Sequence, residues 1–151
     1  MAEYVSVQTP QLVAANNNVL LADSIPCNKG YVVHRNGTGI LTLRGITNGC
    51  NQFARYQVTF NGNIAIPTDG TVAAIATALS LNGESLNSSR AIVTPAAVEQ
   101  YFNVTNTAII TVPKGCCYTI AVENVNAGVG TDIAEQAISV ADGNLVVSRI
   151  A

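Results

Sequence analysis

The sequence predicts an all-β fold, a two-sheet antiparallel β-sandwich or jelly roll of about ten short strands. Three observations support this prediction. Asn-Gly and Asp-Gly dipeptides, which tolerate the positive φ angles of tight hairpin turns, occur six times in the 151 residues. The segments between them alternate apolar and polar residues, as half-buried strands do. No long segment has a clear helical period, so the strands must pack against one another.

The six dipeptides divide the chain into segments of strand length. They lie at residues 36–37, 48–49, 61–62, 69–70, 82–83 and 142–143. Pro113-Lys114-Gly115 adds a further turn between two apolar runs. Each turn is predicted to separate two strands, and residues 31–35 and 40–44 are predicted to form a hairpin around the first dipeptide.

Residues 55–60 show the alternation most clearly. Tyr56, Val58 and Phe60 fall on one face of the predicted strand, and polar residues lie between them. The last strand alternates in the same way at residues 145–148. Each of these strands is therefore predicted to turn one face to a core.

Residues 72–81 are the ambiguous segment, because their apolar residues also fit a helical stripe. As a strand, the segment places Ile75, Leu79 and Leu81 on one face and small Ala or Ser residues on the other. We favour the strand, since every neighbouring segment is predicted to be one.

The length predicts a single domain. Residues 1–10 carry few large apolar side chains and end in Thr-Pro, so they are predicted to form an N-terminal arm. This arm would lie outside the sandwich and contact a partner, and residues 11–151 would form the jelly-roll domain. The sequence shows no export signal and no apolar run of membrane-spanning length, so we expect synthesis in a cytoplasm.

The composition contains unusually little charge. Charged residues make up 11% of the chain and the net charge is −2, whereas an average globular protein is about 25% charged. These values argue against a basic nucleic-acid surface and a polybasic membrane patch. Two explanations stay open: a small β protein with a Thr, Asn, Ser and Gln surface, or, as we favour, an oligomer that buries much of its surface.

Residue patterns for catalysis and for cofactor binding are missing from the sequence. His34 is the only histidine, so a hydrolytic triad lacks its usual base, and we expect His34 to be a surface or cross-strand residue. The stretch at 128–130 resembles a loop rather than a phosphate cradle. Asp132 and Glu135 make only a weak calcium candidate. We therefore predict no enzyme activity, no cofactor and no metal.

The four cysteines are Cys27, Cys50, Cys116 and Cys117. None has the spacing of a zinc site, and free thiols are favoured over a disulfide or a metal centre. Cys116 and Cys117 should face opposite sides of a strand. One is therefore predicted in the core and the other at the surface or an interface.

Six strand phrases follow one another along residues 11–151, at 11–21, 55–60, 79–84, 101–104, 110–120 and 144–149. In this order they resemble the C1q/TNF-like trimeric jelly rolls of the bacterial and bacteriophage branch. The phrase with Pro113, Gly115 and Ile120 is similar to the penultimate hairpin of that family. Two departures are the last strand, which lacks the usual phenylalanines, and the missing collagen-like stalk.

The resemblance implies a homotrimer with a structural or binding role. The function it suggests is a bacteriophage virion protein, a capsid decoration or head-fibre protein made in the host bacterial cytoplasm, with capsid or other virion proteins as partners and a host-surface glycan as a further candidate partner. The alternative is an adhesive module on a bacterial cell or spore surface that binds glycan or protein. Large aromatic residues are the expected trimer anchors; they are Tyr56, Tyr101, Phe102 and Tyr118.

Overall fold

The structure, a computed structural model, describes residues 2–5, 10–25, 30–125 and 136–151, with the backbone alone for 2–5 and 23–25. The described residues form twelve strands and one single-turn 3₁₀ helix, Asn87–Ser89. The strands are β1 (Ala2–Val5), β2 (Gln11–Val13), β3 (Asp23–Ile25), β4 (Val32–His34), β5 (Leu41–Arg44), β6 (Phe53–Ala65), β7 (Ile75–Leu81), β8 (Glu84–Ser85), β9 (Ala91–Val93), β10 (Phe102–Pro113), β11 (Cys117–Val125) and β12 (Ile138–Arg149). The all-β prediction is confirmed.

Two antiparallel sheets of six strands make up the sandwich. The first sheet has the order β10-β6-β12-β1-β3, and β2 also pairs with β12. The second sheet has the order β4-β5-β11-β7-β8, and β9 also pairs with β7. The predicted hairpin around Asn36-Gly37 is β4 and β5, which pair from Val32 opposite Leu43 to His34 opposite Leu41.

The core lies between the two sheets. Tyr56, Val58 and Phe60 on β6 are all 0% exposed, which confirms the inward face predicted for this strand. Leu41 and Ile120 of the second sheet belong to the same buried cluster. Burial of about twenty such side chains provides the main driving force for folding.

The ambiguous segment is a strand, β7, as favoured. Ile75 and Leu79 join the core cluster, while Ala76 and Ala78 stand at the alternate positions of the strand. Asn82 and Gly83 adopt positive φ angles of 52° and 89°, and β8 pairs back onto β7 directly after them. The Asn-Gly turn therefore ends the strand where it was predicted.

Two of the predicted turns are not turns. Asn61-Gly62 lies inside β6, and Asp142-Gly143 lies inside β12. The pairing places Ala141 opposite Asn63 and Asn144 opposite Asn61, so Asp142 and Gly143 share the single partner Gly62. This is a β-bulge, which explains the positive φ of 52° at Asp142.

The N-terminal segment does not lie wholly outside the sandwich as predicted. Strand β1 pairs with β12, where Ala2 lies opposite Val147, and with β3, where Glu3 lies opposite Ile25. The backbone of Ala2–Val5 is therefore part of the first sheet. Strand β1 lies here because the backbone amide and carbonyl groups of β12 need hydrogen-bond partners, which a neighbouring strand supplies.

The turn at Pro113-Lys114-Gly115 forms, but it is not a hairpin within one sheet. The amide of Cys116 donates to the carbonyl of Pro113 at 3.0 Å, and Gly115 has a positive φ of 81°. The strand before it, β10, belongs to the first sheet and the strand after it, β11, to the second. The turn therefore carries the chain across the end of the sandwich.

Candidate interaction surfaces

Tyr56, predicted as a trimer anchor, lies inside the sandwich instead. Its side chain is 0% exposed. The hydroxyl donates to the carbonyls of Arg44 at 2.6 Å and Tyr31 at 3.3 Å. Burial raises the pKa of Tyr56, so the hydroxyl stays a neutral donor around neutral pH. The prediction for Tyr56 is wrong, because the strand alternation points this ring into the core of its own subunit.

The other predicted anchors differ in their exposure. Tyr118 is half-buried and packs against the core cluster. Tyr101 and Phe102 are 37% and 39% exposed, just before and at the start of β10. Only these two of the four aromatics therefore present substantial surface to a partner, and their place in an interface stays a prediction.

Strand β10 is one edge of the first sheet, opposite the edge at β3, and β6 is its only sheet partner among the described residues. It is twelve residues long and contains no charged residue. Soluble proteins usually protect a long edge with charges, prolines or bulges. Here Pro113 stands only at the last position. The edge of β10 is consequently open to pairing with another chain.

The outward face beside this edge is polar but almost uncharged. Thr105 donates to the Asn61 side chain at 3.3 Å, and the hydroxyls of Thr107 and Thr59 lie 3.1 Å apart. Ile109 stands in the same row and is 63% exposed. Charge depletion around an exposed apolar residue is typical of the centre of an interface.

The second sheet carries a different feature on its outward face, a cavity of about 450 Å³ that we call the polar hollow. Ser80 of β7 and Ala121 of β11, each 4% exposed, form its floor. The side walls contain Asn16, Asn18, Ile40, Asn82, Thr119 and Glu123. Small residues on two central strands therefore leave a depression between larger neighbours.

Hydrogen bonds to β11 hold both walls of the polar hollow in place. The amide of Asn16 donates to the carbonyl of Asn124 at 2.9 Å, and the amide of Asn124 donates to the carbonyl of Asn17 at 3.0 Å. On the other side, the amide of Thr119 donates to the Asn82 side-chain oxygen at 2.9 Å. The hollow is thus preformed by the fold.

Close packing at Gly39 brings the Asn16–Asn18 wall against the start of β5. A Cβ at this position would lie 2.7 Å from the carbonyl oxygen of Val19 and 2.8 Å from the Asn18 Cβ. A larger residue at position 39 would displace the wall, so the shape of the hollow depends on this glycine.

Glu123 supplies the only charge among the described side chains that line the polar hollow. Its carboxylate makes no hydrogen bond or ion pair with a described residue, and desolvation raises its pKa. A desolvated carboxylate lowers the stability of the folded state, and no contact with a described residue compensates for this cost. Such a group is often kept for a ligand, because binding sites trade stability for function.

We expect Glu123→Gln to raise the melting temperature slightly at pH 7, by up to about 2 °C. The pKa of Glu123 is raised above its ordinary value of 4.5, so the folded state holds this proton more tightly than the unfolded state does. Deprotonation of Glu123 therefore lowers the stability of the folded state as pH rises from the ordinary pKa of 4.5 through the raised pKa. Thermal melts between pH 4 and pH 7 should show a gain that shrinks towards the acid end. Glu84→Gln, at an exposed carboxylate, is the control, and a lower melting temperature for Glu123→Gln at pH 7 would contradict the argument.

A second, more apolar hollow of about 590 Å³ adjoins the first and shares Asn16, Asn18 and Ile40 with it. Its exposed large apolar residues are Leu12 at 68%, Leu20 at 53% and Ile40 at 51% exposure. The Gln11 side chain pins Leu20 in place by bonding both its amide and its carbonyl. The outward face therefore offers polar and apolar surface side by side.

The remaining sequence candidates lie away from these surfaces or outside the described residues. His34 lies on β4, where its Nε2 is 2.9 Å from the carbonyl oxygen of Thr38. Asp132, Glu135 and the stretch at 128–130 fall outside the described residues. In the described part of the chain, no group of three or more His, Cys, Asp or Glu side chains is placed to hold a metal ion. No described helix is long and apolar enough to cross a membrane.

The cysteine prediction is partly wrong. Cys116 and Cys117 are both exposed and both free, so neither lies in the core. The turn at Pro113-Lys114-Gly115 places them at the rim of the sandwich, before β11 enters its buried part. Cys50 is also exposed and free, and Cys27 falls outside the described residues.

Comparison with solved structures identifies the fold. The chain is similar to the globular domain of a zebrafish complement 1qA protein, with a TM-score of 0.56 and 12% identity over 99% of this chain and 97% of that one. A weaker similarity is to the sugar-binding EclA C-terminal domain, with a TM-score of 0.41 and 14% identity over 95% of this chain and 79% of that one. Another is to a xylan-binding CBM22-1 domain of Paenibacillus barcinonensis Xyn10C, with a TM-score of 0.35 and 11% identity over 100% of this chain and 95% of that one. No family model and no curated protein sequence matches the chain. The chain thus has a C1q-like jelly-roll fold.

Proposed function

We propose that this chain is a non-enzymatic structural and binding protein that works as a homotrimer. The observation that carries the proposal is the edge of β10, which is twelve residues long, uncharged and open. Packing of another copy against this edge would cover an uncharged strand that has no sheet partner on its outer side among the described residues. The low charge of the whole chain, 11%, fits a protein that buries part of its surface in an assembly.

A trimer follows if the edge of one copy meets the outward face of the next. Two edges that met each other would form a dimer, whereas edge-to-face contacts are heterologous and can close into a ring. The face beside β10 suits this contact, since β6 contributes only one charged residue, Arg55. Tyr101 and Phe102 stand where β10 begins and would pack at the end of such an interface.

We place this trimer in a bacteriophage virion, as a capsid decoration or head-fibre protein bound to capsid or other virion proteins. The resemblance to C1q/TNF-like jelly rolls of the bacteriophage branch and the low charge support this setting. The alternative is an adhesive module on a bacterial cell or spore surface that binds glycan or protein. The polar hollow favours this alternative, because it is a preformed concave site away from the β10 edge.

Light scattering on the purified chain at micromolar concentration tests the assembly. We expect a mass about three times the 15.7 kDa of the single chain. A mass of 15.7 kDa, or of twice that value, would contradict the trimer. Co-purification of the chain with phage particles tests the setting, and its recovery on bacterial cell or spore surfaces without particles would support the alternative.

A further inference from the structure

We infer that the polar hollow of the second sheet binds one residue of a neutral sugar, with Glu123 accepting hydrogen bonds from its hydroxyl groups. This inference deepens the binding role proposed above and rests on it, but it does not depend on the trimer. It depends on the side chains that line the hollow and on the scarcity of charged groups among them.

The hollow offers hydrogen-bonding groups that no described residue uses. The Ser80 hydroxyl, the Asn18 amide and the Glu123 carboxylate make no hydrogen bond to a described residue, although Ser80 is only 4% exposed. The Asn82 side-chain oxygen accepts from the Thr119 amide, which leaves its NH₂ group available for a ligand. The site therefore presents donors and acceptors together.

This combination fits hydroxyl groups better than it fits ions. Among the described residues no Lys or Arg lines the hollow, and Glu123 would repel a phosphate or another anion. Calcium sites gather several carboxylates and carbonyls, whereas the described residues bring a single carboxylate to this cavity. Sugar hydroxyls both donate and accept, so they match the amides and hydroxyls and can donate to Glu123.

Ile40 supplies the apolar part of the site. It is 51% exposed at the rim of the hollow, where it can pack against the C–H face of a sugar ring. A cavity of about 450 Å³ also lies within the range of small-molecule sites. Donation from ligand hydroxyls would offset the desolvation of Glu123 that raises its pKa in the free chain.

The test is a titration of the full chain, labelled with ¹⁵N, with the methyl glycosides of glucose, galactose and mannose and with N-acetylglucosamine. We expect at least one of them to shift the amide signals of Asn18, Asn82 and Thr119 saturably, with a millimolar Kd. Loss of a hydrogen bond to a charged group typically costs a factor of ten or more, so Glu123→Gln should weaken binding at least about tenfold. Ile40→Ser should weaken it as well, without loss of core packing.

Asp142→Asn is the matched control, since it removes a carboxylate on the other sheet at a bulge position where Asn also adopts a positive φ. It should bind sugar like the unmodified chain. Unchanged affinity in Glu123→Gln, shifts spread outside the hollow, or no shift with any of the four sugars would overturn the inference. Saturable shifts of the same amides with calcium chloride alone would overturn it in favour of a cation site.

Light scattering on the same samples separates this inference from the proposed trimer. A monomeric chain that binds sugar would contradict the trimer alone. A trimer without sugar binding would contradict the sugar site alone.

Discussion

Asn106→Ala is expected to lower the free energy of unfolding by about 3 kcal/mol and the melting temperature by roughly 10 °C. Asn106 is 1% exposed on the inward face of β10. Its amide nitrogen donates to the carbonyls of Thr77 at 2.9 Å and Ser89 at 2.6 Å, and its oxygen accepts from the Thr77 hydroxyl at 2.9 Å. One side chain thus joins the first sheet to β7 of the second.

The size of the effect follows from the partners left behind. Without Asn106, two buried carbonyls lose a donor and the Thr77 hydroxyl loses its acceptor, and each such group costs about 1–3 kcal/mol when unsatisfied. Ser89 is itself fixed, because its hydroxyl donates to the Leu86 carbonyl and accepts from the Leu79 amide. The carbonyls therefore cannot easily relax towards water.

Denaturant unfolding measures the loss, and two variants isolate its cause. Asn106→Asp keeps the shape but cannot donate at neutral pH, so it should destabilise at least as much as Asn106→Ala. Thr105→Ala, an exposed neighbour on the same strand, should change stability by less than about 0.5 kcal/mol. A loss below about 1 kcal/mol in Asn106→Ala would show that the two sheets do not depend on this contact.

The strand faces could be predicted because they depend on local alternation. In β6 and β7 the residues two positions apart turned out to share a buried face, including Tyr56 and Phe60. The same alternation also contradicted the interface role predicted for Tyr56. The size and aromatic ring of Tyr56 suggested a trimer anchor, but the ring points into the core of its own subunit.

Pairing between distant segments could not be predicted in the same way. Asn61-Gly62 and Asp142-Gly143 each tolerate unusual backbone angles, and a hairpin turn is the common use of such dipeptides. Here they meet across β6 and β12, where Asp142 and Gly143 bulge opposite Gly62. A Cβ at Gly62 would lie 2.8 Å from the Phe60 ring and 3.3 Å from the Gly143 Cα. The glycine serves close packing in the sheet, which depends on a partner eighty residues away.

The polar hollow likewise could not be predicted, because its residues come from segments that are distant in the sequence. Ser80, one of the two small residues that form its floor, was visible in the sequence on the Ala and Ser face of residues 72–81, whereas the other, Ala121, comes from β11. Its walls come from residues 16–18, Ile40, Asn82 and Glu123, which only the fold brings together. Glu123 in the sequence resembles any outward carboxylate on a strand, because its desolvation depends on the segment at Asn18 that pairs beside it.

Ile109→Lys is expected to convert the trimer into folded monomers, with the mass falling to 15.7 kDa. Ile109 is 63% exposed on the outward face of β10, so its replacement removes almost no packing from the subunit core. A lysine at this exposed position is compatible with the folded monomer but places a charge in the edge-to-face contact between subunits. In a trimer, three ammonium groups would each lose water inside an uncharged interface, at a cost of several kcal/mol apiece.

Val33→Lys is the control, because Val33 is 51% exposed on β4, one of the edge strands of the second sheet. It adds the same charge at a similar exposure, and we expect its mass to stay that of the trimer. Circular dichroism should show the same β content for both variants, which separates dissociation from unfolding. If Ile109→Lys keeps the trimer mass, the outward face of β10 is not the interface. If Val33→Lys dissociates instead, the subunits meet through the β4 edge of the second sheet. The uncharged strand β10 would then not be the contact surface between subunits.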